Sequence, residues 1–100
     1  MTALAARDGR SERVQLIEQR HVWAEQLQAA ATNEWLKEHV RLADKYLKTA
    51  RTWLTQPPQT EPDNARVLRM ADASIGFATE RLAHVEQLLI KLGPNATWID

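Results

Sequence analysis

Three histidines with acidic neighbours offer the best opening for metal or acid–base chemistry in this chain. Glu18-Gln19-Arg20-His21 has the Glu-x-x-His spacing of carboxylate-bridged di-metal bundles, which puts a carboxylate and an imidazole on one helix face within reach of one ion. A complete site needs two such motifs and two further glutamates projecting inward. The chain has one motif, and no glutamate occupies a position suited to a helical seam. A surface histidine beside a helical ion pair is therefore the expectation for His21, with a metal-dependent bundle enzyme using Glu18 and His21 as the remotest reading. Glu80 and His84, four apart, suit a hydrogen bond better than a shared ion. His39 reads as a partly buried helix residue.

Nucleophilic catalysis has no foothold. The two serines are Ser11, which reads as a helix cap, and Ser74, which falls mid-helix. There is no Gly-x-Ser-x-Gly and no glycine-rich phosphate loop, and the absence of cysteine removes thiol chemistry and thiolate metal sites. The expectation is a protein that is not an enzyme and carries no cofactor, no metal and no catalytic residues. Asn95-Ala96-Thr97 matches a glycosylation acceptor, but nothing at the start, MTALAARDGR, reads as a signal peptide. No run approaches the ~20 apolar residues of a membrane span. A soluble, cytoplasmic protein with no membrane partner is expected.

Binding is the better prospect. Lys37, Arg41, Lys45 and Lys48 follow one another at steps of four, four and three along one side of a helix. Residues 32–55 carry five basic and three acidic groups, and residues 56–100 carry four basic and six acidic ones, although the whole chain is neutral. Glu34, Glu38 and Asp44 relieve the stripe in part, so a solvated helix face would account for it. As a binding feature it suits an acidic protein surface better than a phosphate backbone, because nucleic acid usually requires a stronger positive excess. Four tryptophans are many for this length: Trp23, Trp35, Trp53 and Trp98. Trp35 and Trp53 lie on an apolar stripe and are expected to be buried. Trp98, near the end, is the one expected to touch a partner.

The elements that position these groups follow from a heptad pattern. Leu68, Ala71, Ile75, Ala78, Leu82, Val85, Leu89 and Leu92 alternate steps of three and four, and Leu36, Val40, Ala43, Leu47, Ala50 and Leu54 do the same. Such spacing keeps one side of a helix apolar. Gln56-Pro57-Pro58-Gln59 breaks the chain between the two runs, since proline lacks an amide donor and restrains the residue before it. Thr60 can cap the last helix. Gly93 can take the left-handed position after it, and Pro94 forbids continuation. A short connection makes the two helices antiparallel neighbours. The layers are then Leu54–Leu68, Ala50–Ala71, Leu47–Ile75, Ala43–Ala78, Val40–Leu82 and Leu36–Val85, whose position numbers sum to 121 or 122 in every pair.

Upstream, Ser11 to Ala31 are good helix formers, with Leu16, Trp23, Leu27 and Ala30 on one face and Ile17 and Ala24 beside them. Thr32-Asn33 is either a turn or a poor spot inside one helix of about 45 residues. The seam changes phase there, which favours the turn. Residues 1–10 read as a frayed start, and the tail 93–100, with Trp98 and Ile99, is expected to fold back over apolar surface.

The reading is an all-α domain over 1–100: an antiparallel helical hairpin plus an N-terminal helix, with helices at about 11–31, 34–55 and 61–92. Each hairpin helix carries a second stripe beside its seam, Trp35, Leu42, Tyr46 and Trp53 on one and Val67, Met70, Phe77 and Leu88 on the other. That face is too wide for one partner helix. The first helix covers it in a three-helix bundle, or a second copy does in a dimeric bundle. Gly76, inside the last helix, reads as a close helix contact, with a docking notch beside Phe77 as the alternative. The expected function is a non-catalytic protein–protein interaction module acting by helix-face docking: an adaptor, assembly subunit or inhibitor. Its candidate contacts are Lys37, Arg41, Lys45, Lys48 and Trp98. The alternative is a dimeric nucleic-acid-binding regulator using the basic stripe. In general build, though not in any motif, the chain resembles small helical proteins of bacteria, phages and plasmids.

Overall fold

The computed structural model describes residues 9–56 and 61–93. Three helices pack against one another: α1, Arg10–Ala30; α2, Glu34–Thr55; and α3, Glu61–Leu92. There is no strand among the described residues. The expectations for residues 1–8, for Pro57, Pro58 and Thr60, and for the tail with Pro94, Trp98 and Ile99 lie outside them.

The hairpin follows its seams. All six seam residues of α2 are buried, as are Ala71, Ile75, Ala78, Leu82 and Val85 of α3. Ala43, Ala50, Ala71 and Ala78 have no exposed surface at all, which fits two small layers that let the backbones approach between large ones. Two cross-helix contacts bracket the register. His39 meets Arg81 and Tyr46 meets Phe77, and these position numbers sum to 120 and 123. The seam stops short of its last member, since Leu92 is 58% exposed. Its level lies past the start of α2, so no seam residue of α2 stands opposite it. At the end of α3, Gly93 takes φ 86° and its N–H donates to Leu89 O at 3.0 Å, the left-handed ending that glycine permits.

Thr32-Asn33 is a turn. The chain leaves α1 at Ala31, and Asn33 caps α2 in extended conformation, its Oδ1 accepting from Trp35 N at 2.7 Å. The short side chain of Asn33 satisfies an amide that a continuous helix would have bonded internally, so the single long helix does not form.

The start of α1 departs from expectation. Ser11 is not the cap. It is exposed in the first turn, and Gly9 stands at the cap with φ 74°. The helix begins one residue early because Arg10, expected to be frayed, is buried at 8% exposure. Its Nη1 donates to Leu54 O at 2.8 Å and to Gln56 O, and its Nε donates to Asn64 Oδ1 at 3.0 Å. A guanidinium thus holds the last carbonyls of α2, where unsatisfied oxygens and the negative end of the dipole favour a cation. The buried face of α1 is also rotated from the one expected. Arg10, Ile17, Ala24 and Ala31 lie seven apart and are all buried, with Leu27 beside them, whereas Leu16 and Ala30 are exposed.

α1 runs parallel to α3. Arg13 pairs with Asp72 and Arg20 Nε donates to Thr79 Oγ1, each pair being 59 residues apart. Against α2, which it meets antiparallel, the edge contact is His21 with Asp44. α1 therefore fills one of the two grooves between α2 and α3.

Candidate functional site

The basic stripe sits on the α1 side of α2. Arg41 donates to Glu34 Oε2 at 3.2 Å and to Glu38 Oε1, and Lys48 Nζ is 3.7 Å from Asp44 Oδ2. Lys45 is exposed and Lys37 half-buried. Arg41 also lines a shallow hollow between α1 and α2 with His21, Ala24, Glu25 and Asp44. Two of the four cations are thus engaged by the acidic neighbours on their own helix. Exposed pairs of this kind contribute little to stability, but they reduce the field the stripe projects. Trp98 is not among the described residues.

The Glu18–His21 pair is not brought together as a site. His21 turns to other carboxylates: its Nδ1 donates to Asp44 Oδ1 at 2.6 Å, and its Nε2 lies 3.6 Å from Glu25 Oε1. The imidazole works as a clasp between α1 and α2. Among the described residues no group of three or more His, Cys, Asp or Glu side chains is arranged to hold a metal ion. Arg13 grips Asp72 with two hydrogen bonds, of 2.6 and 2.9 Å, and that carboxylate raises the guanidinium pKa above its ordinary value against the opposing effect of burial. Trp23 is a clasp as well, its Nε1 donating to Glu86 Oε2 at 2.9 Å.

The other groove between α2 and α3 looks different. On α2, Trp35 and Leu42 form one line at a spacing of seven, and His39, Tyr46 and Trp53 form the next. On α3, Met70, Phe77, His84 and Lys91 follow at steps of seven. At 100° per residue, Leu42 points about 160° away from Asp44, and Phe77 the same from Thr79, so this strip faces away from the contacts that hold α1. Trp35 is 62% exposed and Phe77 55%, with Leu42 and Met70 also exposed. The expectation that Trp35 is buried fails for this reason: α1 occupies the opposite groove. Trp53 and Tyr46 are half-buried at the floor of the strip.

The strip is ordered by contacts of its own. Trp35 stacks on His39, with centroids 6.3 Å apart and planes at 25°. Arg81 Nη1 lies 3.1 Å from His39 Nδ1, and since a guanidinium only donates, the imidazole nitrogen accepts. Tyr46 and Phe77 meet across the groove at 5.6 Å. Glu34, Trp35, Glu38, His39 and Leu42 line a shallow hollow at one end. Gly76 makes no close helix contact. A Cβ built there would meet nothing within 4 Å, which corrects the contact expected from sequence.

The strip residues were visible in the sequence as the second stripe of each helix. What the sequence withheld was which groove α1 would take. Compared with known protein families, characterised proteins and solved structures, the chain matches none.

Proposed function

We propose that this chain is a non-catalytic protein–protein interaction module, an assembly subunit, adaptor or inhibitor, that docks through the aromatic strip of α2 and α3. One observation carries the reading: Trp35 and Phe77 are more than half exposed on a single face that α1 leaves uncovered. Exposed apolar surface concentrated on one face marks an interaction site more often than chance, and tryptophan is enriched where binding energy concentrates. The stacking and cross-groove contacts hold these rings in place before any partner arrives, which lowers the entropy lost on docking. The basic residues look elsewhere, so Lys37, Arg41, Lys45 and Lys48 would meet a separate, acidic surface, with Lys45 nearest the strip.

The test compares baits. Wild-type chain, a Trp35→Ser/Phe77→Ser variant and a Lys37→Glu/Lys45→Glu variant are used to capture proteins at two salt concentrations, with and without nuclease. The reading expects a stoichiometric protein that survives nuclease, is lost with the strip variant and is retained, or weakened mainly at low salt, with the charge variant. Material that vanishes with nuclease and with the charge variant, while the strip variant captures it normally, would establish the nucleic-acid alternative instead. That outcome would also show a steep salt dependence.

A further inference from the structure

We infer that the occupant of the open strip is a second copy of this chain, related by a two-fold axis parallel to the helices. The inference rests on the preceding reading that the strip is a docking surface, and it names the partner. Three observations carry it. The first is charge. The chain is neutral overall, with thirteen basic and thirteen acidic residues, so no net repulsion opposes association of two copies. The second is how polar groups are distributed along the strip. At one end of the hairpin α2 carries Glu34 and Glu38 on the rim, while α3 carries His84 and Lys91 in line with Phe77. In the register of the hairpin Glu38 stands level with His84, and Glu34 with Gln87.

A two-fold axis along the bundle lays α2 of one copy over α3 of the other at equal height. Glu38 then stands level with His84 of the second copy and Glu34 about one turn from Lys91, twice over, so these carboxylates, which already hold Arg41, also meet polar side chains across the interface. An axis across the bundle instead sets α2 on α2 in reverse. With that axis crossing near Lys45, Glu38 would meet the level of Thr52 in place of His84.

The third observation is area. The exposed fractions of Trp35, Leu42, Met70 and Phe77 leave on the order of 400 Å² of apolar surface on each copy, given the size of these side chains. Two such faces and their polar rims reach about 1,200 Å², the lower end of specific, stable interfaces. The apolar core would be two aromatic layers pressed together, with Arg81 and His39 at the seam already bonded to each other.

The experiment uses the full chain. Sedimentation equilibrium is expected to give twice the 11.4 kDa chain mass at micromolar concentration. Phe77→Glu is expected to weaken self-association at least 100-fold while leaving helical content unchanged. Because the chain has no cysteine, single cysteines report the axis cleanly. A mixture of Glu38→Cys and His84→Cys copies should oxidise to a mixed disulfide dimer, and a mixture of Glu38→Cys and Thr52→Cys copies should not. A wild-type chain that stays monomeric at 1 mM overturns the inference, as does a dimer that Phe77→Glu leaves intact. A 38–52 cross-link in place of 38–84 overturns the axis. If the chain is monomeric but the strip variant still loses a different captured protein, the docking surface stands and the second copy falls. If Trp98→Ser turns a monomer into a dimer, the occupant is the chain's own tail and the second copy falls likewise.

Discussion

One groove between α2 and α3 is filled and the other is open, although both are lined by the same two helices. The filled groove receives the small buried face of α1, Ile17, Ala24, Leu27 and Ala31, and polar clasps fasten its edges: Arg13 to Asp72, Arg20 to Thr79, Trp23 to Glu86, His21 to Asp44. The open groove holds the larger rings, Trp35, Tyr46, Trp53 and Phe77, with Arg81 and His39 bonded to each other across it. Apolar area therefore does not decide which groove an amphipathic helix takes. Fit of size and of edge polarity decides it, because buried or half-buried polar groups must find partners. α1 carries the matching polar edges for one side only.

This contrast can be broken in order of expected effect. Arg10→Ala should destabilise the fold by about 2–3 kcal/mol, since it strips a charged donor from buried carbonyls at the end of α2. A urea melt checks it, and a loss near zero would mean that the α1 clasps alone seal the filled groove. Ala43→Leu or Ala78→Leu should overpack the hairpin by ~1–3 kcal/mol. If both melts match wild type, the alanine layers are not in contact and the register is wrong. Gly76→Ala should stabilise by up to ~1 kcal/mol, because the site is helical, exposed and empty around the added methyl. Finally, Trp35→Ala and Phe77→Ala, measured at submicromolar concentration, should each change monomer stability by no more than about 0.5 kcal/mol, as surface substitutions do. A loss of several kcal/mol there would show that the strip is part of the monomer's core, erasing the distinction between the two grooves.

Much of this architecture was legible, and the unread part has definite causes. The hairpin seams declare themselves through apolar residues at an unbroken heptad spacing, and Asn33 and Gly93 mark ends of the two helices. The seam of α1 does not, because its heptad members are an arginine, an isoleucine and two alanines. Leu16, larger than the alanines and exposed, pulls the reading of the sequence toward the wrong face. Arg10 looks like solvent-exposed charge until a helix terminus 44 positions later supplies its carbonyls. The strip residues could be named from sequence as surplus apolar surface. Their exposure could not, since it depends on which groove α1 chose, and that choice rests on side-chain pairs 23 to 63 residues apart. The basic stripe was equally visible, and so was its partial neutralisation by Glu34, Glu38 and Asp44, which sit three, four or seven positions from the cations they hold.

The arginine at the head of α1 also imposes an order on synthesis. The chain makes α1 first, yet the carbonyls that Arg10 holds belong to Leu54 and Gln56, and its third partner is Asn64. A nascent chain can close the short α1–α2 turn early, through local contacts that form fast. It cannot seat Arg10 until α2 is complete and the first turn of α3 has emerged. The head of the first helix is therefore fastened only after the second helix is made, and its clasp closes on a chain whose hairpin has begun to form.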